Sequence, residues 1–297
     1  MSAPTVTSKT RLSTGTRFWR WLKAVGWKHI FALLFIVYCV LPLLYVFSAS
    51  VNPSGTLTGS NELFRAFTGE HYAKLMGTDF PRWMLQSLYV SSVTAIATVL
   101  MAASAAYAFS RFRFSGRRGG LTFLLIIQMF PQMLAVVAIF LLLLTLKDIF
   151  PVIGLGEHLG LIFVYLGGAL GANTFLMYGF FNTIPKELDE AAKIDGATHA
   201  QIFWGVIMRL VSPILAVVGL LSFVGTYGEF ILARVVLQRP ENYTLAVGLY
   251  VWASDDRNAP WSLFAAGAVL AAIPVILLFM FLQKYIVSGL TAGGVKG

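Results

Sequence analysis

Six stretches of this chain run without a single Asp, Glu, Lys or Arg for close to the length that a helix needs to cross a bilayer. They are residues 30–61, 83–110, 119–146, 159–185, 210–228 and 258–283, the first turning polar in its second half. About 20 apolar residues span the hydrocarbon as a helix, and lipid offers the backbone no partner beyond its own helix or a closed barrel. The expected fold is an all-α integral membrane protein with six transmembrane helices, at about 30–50, 84–108, 120–146, 160–181, 208–232 and 262–284. Composition agrees. Only 12% of residues are charged, against roughly 25% in soluble domains, and mean hydropathy is +0.77.

Six spans return both termini to one side. Residues 1–29, 109–119, 182–207 and the segment from Lys284 onward hold 14 Lys/Arg, against 7 in 51–83, 147–159 and 233–261. Basic loops stay in the cytoplasm, so both termini and the 182–207 loop are expected there. The net charge of +9 is then a matter of topology, and no nucleic-acid motif accompanies it. The chain divides into a cytoplasmic N-terminal segment (1–29), a transmembrane domain (30–286) and a cytoplasmic tail (287–297). Residues 17–28 mix Arg and Lys with Phe and Trp and read as an amphipathic helix on the membrane surface. The apolar region that follows is too long for a signal peptide. Cys39 is the only cysteine, so no internal disulfide can form, and the four histidines lack metal-ligand spacing.

The best-formed cytoplasmic segment begins at Pro185, which suits a first helical position. Glu187, Asp189 and Glu190 put negative charge in the first turn, where the helix dipole favours it. Leu188, Ala191 and Ala192 fall on one face. Asp195-Gly196 breaks the helix, and Thr198 with Gln201 predicts a capping box that starts the next one. Two readings stay open on these residues alone: an ordinary loop helix, or a docking surface.

Within the spans, Gly167 with Gly171 and Ala102 with Ala106 are small-residue pairs suited to close helix packing. Gln128, Gln132, Asn173, Tyr227 and Glu229 interrupt the apolar runs and are candidates for a polar pathway. Glu229 is equally suited to helix pairing or to a solvated position at the outer boundary. The 51–83 loop has room for a short helix, and 255–261 reads as a polar tip: a solvated loop or a contact for an external partner. No GxxxxGK[ST] phosphate loop, HExxH or GxSxG occurs. With Glu229 the one acid in the spans, ion-driven transport has little to work with, and the energy is expected from a partner at the cytoplasmic surface.

Glu190-Ala191-Ala192 followed by Gly196, in the last cytoplasmic loop of a six-span basic chain, resembles the EAA motif of ABC importer permeases. The segment 242–248 and the tail 289–297 resemble the carbohydrate-importer branch, the maltose-type (MalG-like) permeases. The likeness covers roughly residues 30–297. It implies the type I importer permease fold, with a coupling helix between helices four and five. Glu190, Ala191, Ala192, Asp195 and Gly196 would dock on an ATPase subunit. Gly293, Gly294, Val295, Lys296 and Gly297 would reach the ATPase interface, and Ser254, Asp255, Asp256, Arg257 and Asn258 would meet an extracytoplasmic sugar-binding protein.

The implied partners are a second, MalF-like permease, two ATP-binding cassette subunits, the binding protein and the lipid bilayer. ATP and Mg belong to the ATPase subunits, and this chain binds no cofactor or metal. The implied function is permease for maltose, maltodextrin or a related oligosaccharide in a bacterial plasma membrane, coupling ATPase closure to alternating access. The extended motif usually continues with an aliphatic residue and Leu-Pro, where this chain has Val206, Met208 and Arg209, with proline only at Pro213. A kink at 209 is therefore not expected, and Arg209 reads as a headgroup anchor. The alternatives are a permease for another solute (trehalose, another glycoside, glycerol phosphate), a secondary carrier, or a membrane scaffold.

Overall fold

The computed structural model describes residues 14–53, 63–64, 66–254 and 260–294. Among them every regular element is a helix: α1 (Thr14–Trp21), α2 (Trp27–Val51), α3 (Glu70–Met76), α4 (Phe80–Arg111), α5 (Arg117–Gln128), α6 (Gln132–Ile149), α7 (His158–Phe181), α8 (Glu187–Ile194), α9 (His199–Gln201), α10 (Met208–Leu210), α11 (Ser212–Tyr227), α12 (Ile231–Val236), α13 (Leu245–Ala253) and α14 (Trp261–Gly294). Four helices are long and apolar enough to cross a membrane, at Trp19–Val51, Phe80–Arg111, His158–Phe181 and Trp261–Ile286. Two bent pairs raise the number to six if each counts as one span. Along α2, α6 and α14 large apolar side chains face outward, Leu33, Leu134 and Leu277 among them, as lipid-facing surfaces require.

The expected separate surface helix at 17–28 runs into the first span without a break. A π-helical turn, Leu22–Gly26, joins α1 to α2. The 51–83 loop carries the short helix α3, whose His71 bonds the Asn52 carbonyl at 2.9 Å.

Two expected straight spans are broken. The third bends by 100° between α5 and α6, because Pro131 cannot continue a helix: it lacks an N–H and crowds the preceding turn. The fifth bends by 79° between His199–Leu210 and Ser212–Tyr227. Pro213 lies in the first turn of α11, the helical position where proline is tolerated. The bend thus exists in spite of Arg209, displaced toward Pro213. The span also ends early, at Tyr227, and Ile231–Val236 forms a separate helix.

α4 packs most extensively on α7 and α11, and the three share two cores. One gathers Phe80, Trp83, Leu161 and Phe223 at one end of the bundle. The other gathers Ala102, Ala106, Met177 and Ile207 toward the end that carries α8. Ala102 and Ala106 are fully buried there. Some span hydroxyls bond their own helix, as Ser91 does to the Ser87 carbonyl at 2.6 Å.

The loop expected at 233–261 is largely folded inward. Trp83 Nε1 donates to Pro240 O (3.2 Å), Leu245 N to Ser87 Oγ (2.7 Å), and Asn242 Nδ2 to Gly156 O (2.9 Å). Gly248 lies directly on the Trp83 ring, leaving no room for a Cβ.

Candidate functional site

α8 is built by its ends. Pro185 precedes the N-cap Lys186 and so lies just ahead of the helix instead of opening it. The Lys186 carbonyl accepts from Asp189 N (3.0 Å) and Glu190 N (3.1 Å). At the far end Gly196 has φ +85°. Gly196 N donates to Lys193 O and Ala197 N to Ala192 O, the bond pair of a glycine-terminated Schellman motif. The capping box is complete: Thr198 N meets Gln201 Oε1 at 2.8 Å and Gln201 N meets Thr198 Oγ1 at 3.3 Å. The reversal is therefore specified by local chemistry on both sides.

What α8 shows to the exterior differs from the expected apolar face. Asp189 is buried and Ala192 half-buried, whereas Glu190, Ala191, Asp195 and Gly196 are exposed. Leu188 and Ala191 also point outward, and Ile194 is 87% exposed. This short polar helix at the end of the bundle thus turns Leu188 and Ile194 outward.

Sequence reasoning missed the residues that hold α8 in place. Arg111, the last residue of α4, pairs through Nε with Asp189 Oδ2 at 2.6 Å, the two side chains being 5% and 8% exposed. Its Nη1 donates to Phe181 O (3.3 Å), at the last residue of α7, and its Nη2 to Ile184 O (3.2 Å), just beyond it. Ser110 Oγ donates to Asn182 Oδ1 at 2.8 Å beside it. One guanidinium thus ties α4, the α7 end and α8. Removing one partner of such a buried pair costs about 3–5 kcal/mol. Asp189 was legible only as a first-turn acid, because Arg111 reads from sequence as one of four arginines in a basic loop.

The polar span residues are partly brought together. A groove of about 290 Å³ lies between α7 and α11, with Asn173, Ser222, Gly225 and Glu229 among its lining. A neighbouring hollow of about 250 Å³ contains Gln128 and shares Gly168, whose carbonyl accepts from Gln128 Nε2 at 2.6 Å. Glu229 accepts from Tyr165 Oη (2.6 Å), Leu232 N (2.8 Å) and Ala233 N (2.9 Å). It caps α12 and joins it to α7 while facing the groove. Gly171 closes on the Leu124 carbonyl, whereas Gly167 faces open space.

Tyr227 is not part of this surface. It is buried, stacks on Phe223 at 5.5 Å and directs its hydroxyl to Met84 Sδ at 3.1 Å. Gln132 opens α6 beyond the bend. Ser254 ends α13, bonding the Val251 carbonyl at 3.0 Å. Asp255, Asp256, Arg257 and Asn258, with Val295, Lys296 and Gly297, lie outside the described residues, and Gly293 and Gly294 close α14.

A bundle of long apolar helices with a polar groove between two of them and an exposed short helix at one end has the form of a membrane transport subunit. The chain belongs to the family described as binding-protein-dependent transport system inner membrane component, whose model matches residues 96–292. It is 42% identical over 271 residues to the galactooligosaccharides transport system permease protein GanQ of Bacillus subtilis, covering 90% of this chain and 93% of that protein. It is 39% identical over 283 residues to the maltose/maltodextrin transport system permease protein MalG of Escherichia coli K12, covering 91% and 95%. A chain of a bacterial ABC transporter that imports the acidic polysaccharide alginate superposes with a TM-score of 0.75 at 24% identity, over 93% of this chain and 99% of that one. That likeness concerns the fold.

Proposed function

We propose that this chain is one of two permease subunits in an ATP-driven, binding-protein-dependent importer of a neutral oligosaccharide, of the maltodextrin or galactooligosaccharide kind. The family match and the two relatives whose names carry those sugars support it. The observation that carries the mechanism is the outward face of α8, with Glu190, Ala191 and Ile194 exposed beyond a locally specified turn. On this reading α8 is a coupling helix that seats on an ATP-hydrolysing subunit, and the α7–α11 groove is this chain's half of the sugar path. Orientation follows the basic loops, with both termini and α8 in the cytoplasm of a bacterium. Residues 293–297 are assigned to the ATPase interface and 254–258 to the binding protein.

Affinity capture of the tagged chain tests this. A second permease, an ATPase and a sugar-binding protein are expected to co-purify. Titrating that binding protein with maltotriose and with a galactooligosaccharide then names the substrate. Sugar uptake by the purified chain alone, driven by an ion gradient, would overturn the proposal.

A further inference from the structure

We infer that the buried Arg111–Asp189 pair is the positioning link through which motion of α8 is passed to α4 and α7. The inference rests on the reading of α8 as the seat of an ATPase subunit. Of the eight residues of α8 only Asp189 is buried and only Ala192 half-buried, so the helix has almost no packed face to push with. Its one strong lateral attachment is the 2.6 Å contact from Asp189 Oδ2 to Arg111 Nε. Asp189 Oδ1 and Arg111 Nε are both buried with no hydrogen-bond partner among the described residues, so the carboxylate is held to Arg111 by charge pairing at short range. Arg111 in turn grips Phe181 O and Ile184 O. A displacement of α8 therefore pulls on the ends of two helices at once, and α7 is the helix that lines the groove.

The second route from α8 runs along the chain through Gly196 into α9 and the turn before α11. His199 meets Phe112 edge-on at 5.1 Å, so that route reaches the same end of α4 through apolar contact. The ion pair holds α8 itself, whereas the second route acts beyond Gly196, where Ile202, Phe203 and Ile207 pack in the core shared with α4 and α7.

Coupling of binding is reciprocal, whereas rates need not follow it, so the effect of the binding protein on hydrolysis is measured directly. The readout is ATP hydrolysis by the affinity-captured complex with and without its co-purifying binding protein. Asp189→Asn keeps the shape and removes the charge. It is expected to capture the ATPase in wild-type proportion while stimulation by the binding protein falls about tenfold or more, within the usual range of coupling factors. Asp189→Glu is expected to recover most of the stimulation.

The double variant Arg111→Gln/Asp189→Asn separates transmission from stability. Removing both charges relieves the unpaired buried charge but does not rebuild the link, so stimulation is expected to stay low. Restored stimulation in the double variant, wild-type stimulation in Asp189→Asn, or loss of ATPase capture in Asp189→Asn would each overturn the inference. A wild-type chain that captures no ATPase overturns the function proposed above together with this inference.

Discussion

Gly196 holds its backbone at φ +85° in a place where an added Cβ would meet no atom within 4 Å. The demand there is conformational, and a left-handed L residue costs about 1–2 kcal/mol. Asn tolerates that region and Val does not, so Gly196→Asn is expected to keep uptake within about twofold of wild type while Gly196→Val loses most of it. Uptake at equal membrane levels of each variant decides this; equal behaviour of Asn and Val would show that the turn is not the constraint. Gly248 is the opposite case. Its φ is ordinary, but a Cβ would overlap the Trp83 ring, and overpacking of this sort costs about 1–3 kcal/mol. Gly248→Ala is expected to lower the thermal midpoint of the detergent-solubilised protein by several degrees, and Trp83→Phe in the same chain to restore part of it. Gly196 was legible because its reason is local, lying within the Asp195–Gln201 turn. Gly248 was not, because Trp83 meets it across the fold. Asp189 was hidden for the same reason, its partner Arg111 being on another helix.

Charge-free length located four long apolar helices and two bent pairs, because lipid enforces it residue by residue. It could not show that two of them bend. Pro131 and Pro213 were visible, yet proline alone does not say whether a span kinks mildly, breaks, or folds back through 100° and 79°. That depends on what the freed turn packs against: Val211 sits fully buried in the core that includes Ile207 and Ile214. Replacing Pro213 by Ala restores an N–H and removes the steric bar to a continuous helix. Spin labels at the exposed positions Trp204 and Leu221, in a Cys39→Ser background, would stand about 25 Å apart along a straight helix. A shorter separation is expected in the parent, with a second, longer population in Pro213→Ala. A parent distribution already at the straight-helix distance would contradict the bend.

At the scale of the whole molecule, what stands out is how much polar and apolar surface is left for others. The span faces of α2 and α14 are apolar and outward, whereas the α7–α11 groove is open and lined by Asn173, Ser222 and Glu229. A groove facing lipid would leave the Ser222 hydroxyl without water or a partner and keep the Glu229 carboxylate from water, at a cost of several kcal/mol. It is stable only against a water-filled path or another polar surface. The sequence showed the polar residues, but their grouping depends on which face of each helix they occupy, and Tyr227, two positions from Glu229, turns into the core instead. Gly225 lines the groove with open space over its Cα. Gly225→Trp is therefore expected to fill the groove without disturbing the fold, abolishing uptake while the ATPase and the second permease still co-purify. Tyr227→Phe, which loses only a hydroxyl contact to Met84, is expected to transport at close to the parental rate. Uptake by Gly225→Trp at the parental rate would place the path elsewhere and leave Glu229 as a helix cap alone.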